Sequence, residues 1–473
     1  MASVTVPTRE GQYGERVVAV EPGGVEFIPL SERHGRPLDL FWTWMSPNLE
    51  FATVFVGTIG IVLFGGSLWS VVGGIVVGTA LGSITHGVLS SWGPRLGVPQ
   101  MVQSRAAFGY RGNVLPAALN TFTAGIGWFI VNSVSGAFAL MALFDMGASL
   151  FPVAFLIIVA AQVAVAFFGH NLVHAFERAA FVPLVIIFAI ATGFILANAH
   201  AVAFNAAAPV AFGGDLGAFI LTAAAAFGYA PGWNPYASDY TRYQRPGADL
   251  RAVGLWAGLG VFVSCVALEV AGAGLATVAG TKWGPNDIPT AQLAQAMPDL
   301  VYKATLLAIA LGAVAANVLN IYSAAMSFLT LGVRLTLRQR RAIVAAASGL
   351  LGLVIGIAFE ANVGPGSKYE EFLLVISYWI GPWLGVIFAD HWLRRGDYGD
   401  GSIFFDARRD GWQGPVAMLV AGAVAIYFFA AQALYTGPVP LRWPQLGDLT
   451  FLVGFALAWI LTVAFRRGAR GTR

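Results

Sequence analysis

The sequence predicts an all-α integral membrane protein of twelve transmembrane helices, ten of them arranged as two inverted five-helix repeats. Three observations lead there. Hydrophobic residues make up 57% of the chain and charged residues 11%, with a mean hydropathy of +0.72, a balance that fits no soluble domain of this length. Apolar stretches long enough to cross about 30 Å of hydrocarbon recur twelve times. Two of these stretches are interrupted by proline beside asparagine, at places that correspond if spans one to five and six to ten are repeats.

The chain opens with a polar segment carrying Arg9, Glu10, Glu15, Arg16, Glu21, Glu26, Glu32, Arg33 and Arg36, which predicts a partly ordered cytoplasmic tail over 1–39 and no cleavable signal. Spans are then expected at 40–64, 68–89, 115–143, 150–168, 176–197, 216–236, 253–279, 301–331, 343–359, 371–391, 415–435 and 449–465. With the N-terminus inside, the cytoplasmic segments hold all but four of the 27 basic residues, the exceptions being Lys282, Lys303, Lys368 and Arg442. That asymmetry supports the span count and places both termini in the cytoplasm, in a plasma or inner membrane. It also gives the net charge of +3 a topological cause. The chain divides into a first repeat over 40–200, a second over 201–395, two C-terminal helices over 396–466 and a short tail over 467–473. Five is odd, so the repeats enter the bilayer from opposite sides. Cys265 is the single cysteine and gives no disulfide framework.

The sixth span carries the densest signal, from Phe227 through Gly232-Trp233-Asn234-Pro235 to Tyr243. Two prolines, two glycines and six aromatics make an unbroken helix there unfavourable. We expect a helix broken at bilayer depth, where freed backbone groups persist only in protein or beside a wet cavity; a plain proline kink is the alternative. The first span has its counterpart in Ser46-Pro47-Asn48-Leu49-Glu50.

Two further spans carry polar groups at helical spacing. Trp128 and Asn132 stand at i and i+4 in the third, so a planar ring stacked on the indole meets an amide one turn away. An ordinary aromatic helix contact explains them as well. Asn317 and Asn320 stand at i and i+3 in the eighth, where two amides need partners and interhelical glue is the competing explanation. Ionisable groups inside spans are few: Glu50, His86, Glu269 and Asp239. Intramembrane carboxylates are functional candidates by default, although Asp239-Tyr240-Thr241-Arg242 at a helix end also reads as an interfacial salt bridge. No HExxH, Cys/His spacing, Walker sequence or nucleophile elbow is present, so no metal, cofactor, ATP-driven pump or enzyme is expected.

Pro94-Arg95-Leu96-Gly97-Val98-Pro99-Gln100-Met101-Val102-Gln103-Ser104-Arg105 with Phe108-Gly109, together with Gly232 through Tyr243, resembles the nucleobase:cation symporter-1 family, in its purine-cytosine permease branch. Asn317 through Tyr322-Ser323 is similar to that family's eighth helix. The resemblance implies a LeuT-like fold, alternating access of a bundle against a scaffold, and import of a flat N-heterocycle of the cytosine, purine or hydantoin kind. It also implies Trp128 as the stacking tryptophan and Asn132 as its polar neighbour. Tyr229, from the Phe227 to Ala230 stretch, becomes the opposing aromatic, and Asn317 reads the ring edge. Trp233, Asn320 and Asn48 complete the substrate set. Glu50, Glu269, Ser46, Ala308 and Gly312 are the positions expected to bear on cation or proton coupling.

One departure decides the expected ion. Sodium-coupled relatives use eighth-helix hydroxyls about one turn before the asparagine, whereas 308–316 here contains none. A hard cation wants oxygen ligands, so H+ is expected rather than Na+. The expected partners are a small heterocycle and the lipid bilayer, with no nucleic acid and no obligate protein partner. A same-fold carrier of another solute, such as an amino acid, allantoin or a vitamin-precursor pyrimidine, and a non-transporting receptor are the alternatives.

Overall fold

The computed structural model describes residues 5–204, 213–279, 289–333, 350, 354, 367–432 and 434–471. Within them the chain is helical, with β-pairing limited to isolated bridges. Asp39–Met45 (α1) and Phe51–Val62 (α2) are two halves of one apolar pair bent by 59°. Leu68–Ser90 (α3), Val114–Leu143 (α4), Phe151–Ala166 (α5) and His170–Asn198 (α6) complete the first half. Gly214–Thr241 (α7), Leu250–Leu275 (α8), Asp299–Thr330 (α9), Ser367–Arg394 (α10), Gln413–Phe429 (α11) and Thr450–Gly471 (α12) follow. Nine helices among the described residues are long and apolar enough to span a membrane, or ten with the bent pair. The span expected at 343–359 lies outside the described residues.

Helix starts follow local chemistry. Ser67 accepts from the Ser70 amide before α3, and Asp249 accepts from the Arg251 amide before α8, each meeting an orphan donor of the first turn. The α7, α9 and α10 helices are the most enclosed and α6 and α12 the least, so the former make the interior and the latter face lipid. Backbones meet closely where side chains vanish: a Cβ on Gly57 of α2 would strike the Glu269 carbonyl of α8, and one on Gly272 would strike the Val54 carbonyl. Small residues of this kind let membrane helices pack on dispersion alone.

The sixth span differs from expectation. It is not opened into two separated helices: α-helical bonding gives way to a 3-10 stretch over Ala230–Tyr236 and resumes at Ala237, and the whole passes as one span. Pro231 and Pro235 lack amide hydrogens, and the tighter turn takes up that loss without a large bend. The N-terminal segment is also more ordered than a partly ordered tail. Tyr13 and Ile28 are buried against Tyr243, and Arg9 donates to the Tyr243 hydroxyl at 2.8 Å and pairs with Glu32 at 3.1 Å. Burial works to raise the Glu32 carboxyl, yet the Gly14 and Tyr13 amides and the Arg9 guanidinium hold it below the usual carboxylate range.

Candidate functional site

The site grows from the break in the first span. Pro47 tightens Ser46–Asn48 into a 3-10 turn, Leu49 and Glu50 leave the helical region, and Glu50 restarts the chain as the N-cap of α2, accepting from the Ala52 amide at 2.9 Å. Asn48 donates to the Trp44 carbonyl at 2.7 Å and accepts from Trp233 Nε1 at 2.8 Å, so the two proline turns are tied side chain to side chain. Thr53 donates to the Asn48 carbonyl at 2.6 Å and lies 2.5 Å from the Tyr229 hydroxyl, which itself donates to Glu50 at 3.0 Å. Gly312 of α9 presses against this turn: a Cβ there would collide with the Leu49 carbonyl and stand 2.8 Å from the Glu50 Cβ. Ala308 is buried one turn earlier on the same helix.

Trp128 forms the other side. A π-helical turn over Thr123–Trp128 ends on it, a local departure from regular α-helical spacing of the kind found at functional sites. The indole lies on helix α7 at Gly232, where a Cβ would come within 3.3 Å of its Nε1. Around it stand Tyr229, Phe372 and Tyr369, edge to face at 5.2, 5.1 and 6.4 Å, an arrangement the ring quadrupole favours. Tyr369 also donates to the Ala52 carbonyl at 3.0 Å.

An amide string leads away from the cage. Asn132 donates to Asn317 Oδ1 at 3.0 Å, Asn320 donates to the same oxygen at 3.1 Å, and Tyr236 donates to Asn320 at 3.3 Å. Asn317 in turn donates to the Phe129 carbonyl at 2.9 Å and to Ser133 at 3.1 Å. Every polar atom of Asn317 is therefore engaged between α4 and α9, while Asn132 Oδ1 is buried with no hydrogen-bond partner. The structure thus gathers Asn48, Trp128, Asn132, Tyr229, Trp233, Asn317 and Asn320 around the two proline turns. Thr53, Tyr369, Phe372 and Ser133 join them and were not singled out from the sequence. None of these carried a local sequence signal: each is brought in by the packing of other helices or by the turn at the first break.

The remaining ionisable groups separate. Glu269 accepts from Thr79 at 2.8 Å through one oxygen, the other having no partner. His86 stands edge-on to Trp44 at 4.2 Å. Asp239 accepts from the Gln100 amide at 2.9 Å, and the side-chain salt bridge expected with Arg242 goes instead to Glu21 of the N-terminal segment at 3.3 Å. Arg242 adds the Tyr322 hydroxyl at 3.1 Å and the Gly24 carbonyl at 2.7 Å. Glu177 of α6, not among the sequence candidates, is fully buried beside Ser46.

The profile of the family described as permease for cytosine/purines, uracil, thiamine, allantoin matches residues 27–454. The purine-cytosine permease fcyB of Emericella nidulans is 28% identical over 476 residues, covering 96% of this chain and 91% of its own. The purine-cytosine permease FCY2 of Saccharomyces cerevisiae is 25% identical over 460 residues, covering 93% and 84%. Among solved structures, Mhp1, a nucleobase-cation-symport-1 family transporter in a closed conformation with bromovinylhydantoin bound, matches with a TM-score of 0.73 at 18% identity over 96% of each chain. The fold is shared with Mhp1, and the protein is a transporter rather than an enzyme. With its profile match running across nearly the whole length, the chain belongs to the family of permeases for cytosine/purines, uracil, thiamine and allantoin.

Proposed function

We propose that the protein imports a nucleobase or a related flat N-heterocycle by alternating access, coupled to H+ rather than Na+. The observation that carries this reading is Asn132 Oδ1, buried without a partner one helical turn from the Trp128 ring. A heterocycle stacked on Trp128, with Tyr229 and Trp233 at its far side, donates an N–H to that oxygen. Asn317, Asn320 and Asn48 shape the rest of the ring's edge once the helices shift to admit it.

The finer architecture belongs to the same proposal: twelve membrane helices, with 40–200 and 201–395 as inverted repeats, 396–466 as two added helices, and both tails cytoplasmic in a plasma membrane. The Mhp1 likeness and the two proline turns support it. Proton coupling is supported by Gly312 and Ala308, which bring helix backbone rather than hydroxyls to the first break. Glu50 is a buried carboxylate at that break, and Glu269 is a second buried carboxylate, bonded to Thr79.

The test is a thermal-shift screen of purified protein against nucleobases, hydantoins and amino acids, with sodium or choline as the cation. A ligand at 100 times its dissociation constant stabilises by about 2.7 kcal/mol. We expect one flat heterocycle to shift the midpoint regardless of sodium, and Trp128→Ala to abolish the shift, since a base stacked on an aromatic ring is worth about 1–3 kcal/mol. A shift with an amino acid and none with any heterocycle refutes the cargo; a steep sodium dependence refutes the ion.

A further inference from the structure

Four carboxylates lie buried in the membrane helices near the proline turns. Glu50 has both oxygens bonded, to the Ala52 amide and the Tyr229 hydroxyl. Glu269 and Asp239 have one each, to Thr79 and to the Gln100 amide. Glu177 has neither, at 0% exposure.

Its surroundings are specific. Ser46, from the first-span turn, lies beside it with a hydroxyl that is likewise buried and unbonded. Tyr240 of α7 lies close enough to feel its charge. One turn earlier on α6, His174 Nδ1 meets Thr43 Oγ1 at 2.9 Å. The α1 segment and α6 therefore touch at two rungs, each three residues apart on both helices: Thr43 with His174, which is closed, and Ser46 with Glu177, which is not. No cation faces Glu177 among the described residues. An ionised carboxylate in such a place lacks a counter-charge to offset its desolvation.

We propose that Glu177, with Ser46, takes up and releases the coupled proton at the seam between α1 and α6. The inference rests on the proton-coupled reading above. With the seam closed, the acid keeps its proton. When α1 parts from α6 on the cytoplasmic side, water reaches the carboxyl group, its O–H bond breaks, the proton leaves as hydronium and the carboxylate is hydrated. Reprotonation from water restores the neutral seam. Linkage to cargo runs through the turn itself: Ser46 and Asn48 share one 3-10 turn, and Asn48 holds Trp233. A protonation event that reseats Ser46 thus moves a wall of the heterocycle site.

Wild type, Glu177→Gln and Ser46→Ala are reconstituted in liposomes with tritiated cytosine as the probe. Glutamine is a permanent mimic of the neutral acid. We expect Glu177→Gln to exchange cytosine between equal pools while accumulation driven by a pH gradient, acid outside, falls by about tenfold or more. Ser46→Ala is expected to keep accumulation but shift its pH dependence. Glu177→Gln accumulating like wild type overturns the assignment alone. Wild type driven by a sodium gradient and not by a pH gradient overturns the proton reading as a whole. A second measurement needs no cargo: as pH rises above about 4.3, where a glutamate of the unfolded chain ionises, the thermal midpoint of wild type falls relative to that of Glu177→Gln, because only the acid gains charge on unfolding. Parallel curves, or a glutamine variant that does not fold, refute the assignment, since a neutral isostere must fit where a neutral acid sits.

Discussion

Asn132 and Asn317 show how two amides of the same string divide their work. Asn317 is spent on three partners across α4 and α9 and on Asn320, whereas Asn132 keeps one oxygen free. Asn317→Ala strands the Asn132 and Asn320 amides, so we expect it to cost about 1–3 kcal/mol of stability in a detergent melting curve. Asn132→Ala is expected to leave that curve nearly unchanged and to weaken heterocycle binding by about tenfold in titration. Trp128 and Asn132 were legible in the sequence because i,i+4 spacing puts two side chains on one helix face whatever surrounds them. Tyr369 and Phe372 were not, because only the crossing of α10 over α2 and α4 brings them to the indole. Glu177 was hidden by its neighbour: Glu177-Arg178 in a short polar run looks like membrane surface, and only the fold buries the one and leaves the other outside.

At the scale of elements, the two proline turns behave differently although their sequences are alike. The first opens by 59° because Leu49 and Glu50 leave helical geometry and Glu50 caps a new helix; the second stays within one span because the chain tightens through Ala230–Tyr236. Proline and asparagine announce that a helix is disturbed, and the neighbouring helices decide how. For the first turn that neighbour is α9 at Gly312. Gly312→Val drives a side chain into the Leu49 carbonyl, and overpacking of this sort typically costs about 1–3 kcal/mol. We expect the variant to fold with a lowered midpoint and to lose heterocycle binding together with transport, whereas Gly193→Val, at a helical position with no neighbour within 4 Å of a Cβ, leaves both intact. Equal behaviour of the two variants would remove Gly312 from the site.

For the whole molecule, the broad plan was readable from hydropathy, and the expected apolar helices appear wherever residues are described, apart from the 17-residue Gln413–Phe429, which is shorter than the others. What sequence left open was the N-terminal segment, whose polarity suggests a loose tail. Its order comes from long-range partners. Glu21 accepts from Arg242, Tyr322, Tyr243 and the His170 amide, which joins the start of α6 to the end of α7 and to α9 two turns before its end. Glu21→Ala leaves Arg242 buried without its counter-charge, a change that costs about 3–5 kcal/mol in comparable sites. The expected result is a lowered melting midpoint and faster proteolysis within the first forty residues; unaltered proteolysis would show that the segment is held by its other anchors.

That clasp has a further consequence for how the protein is made. Glu21 leaves the ribosome early, but Arg242 follows 221 residues later and Tyr322 follows 301 residues later. At about 5–20 residues per second, the segment waits roughly 15–60 s for its last partner. It is synthesised first and seated late, so its docking marks a chain whose synthesis has already reached α9.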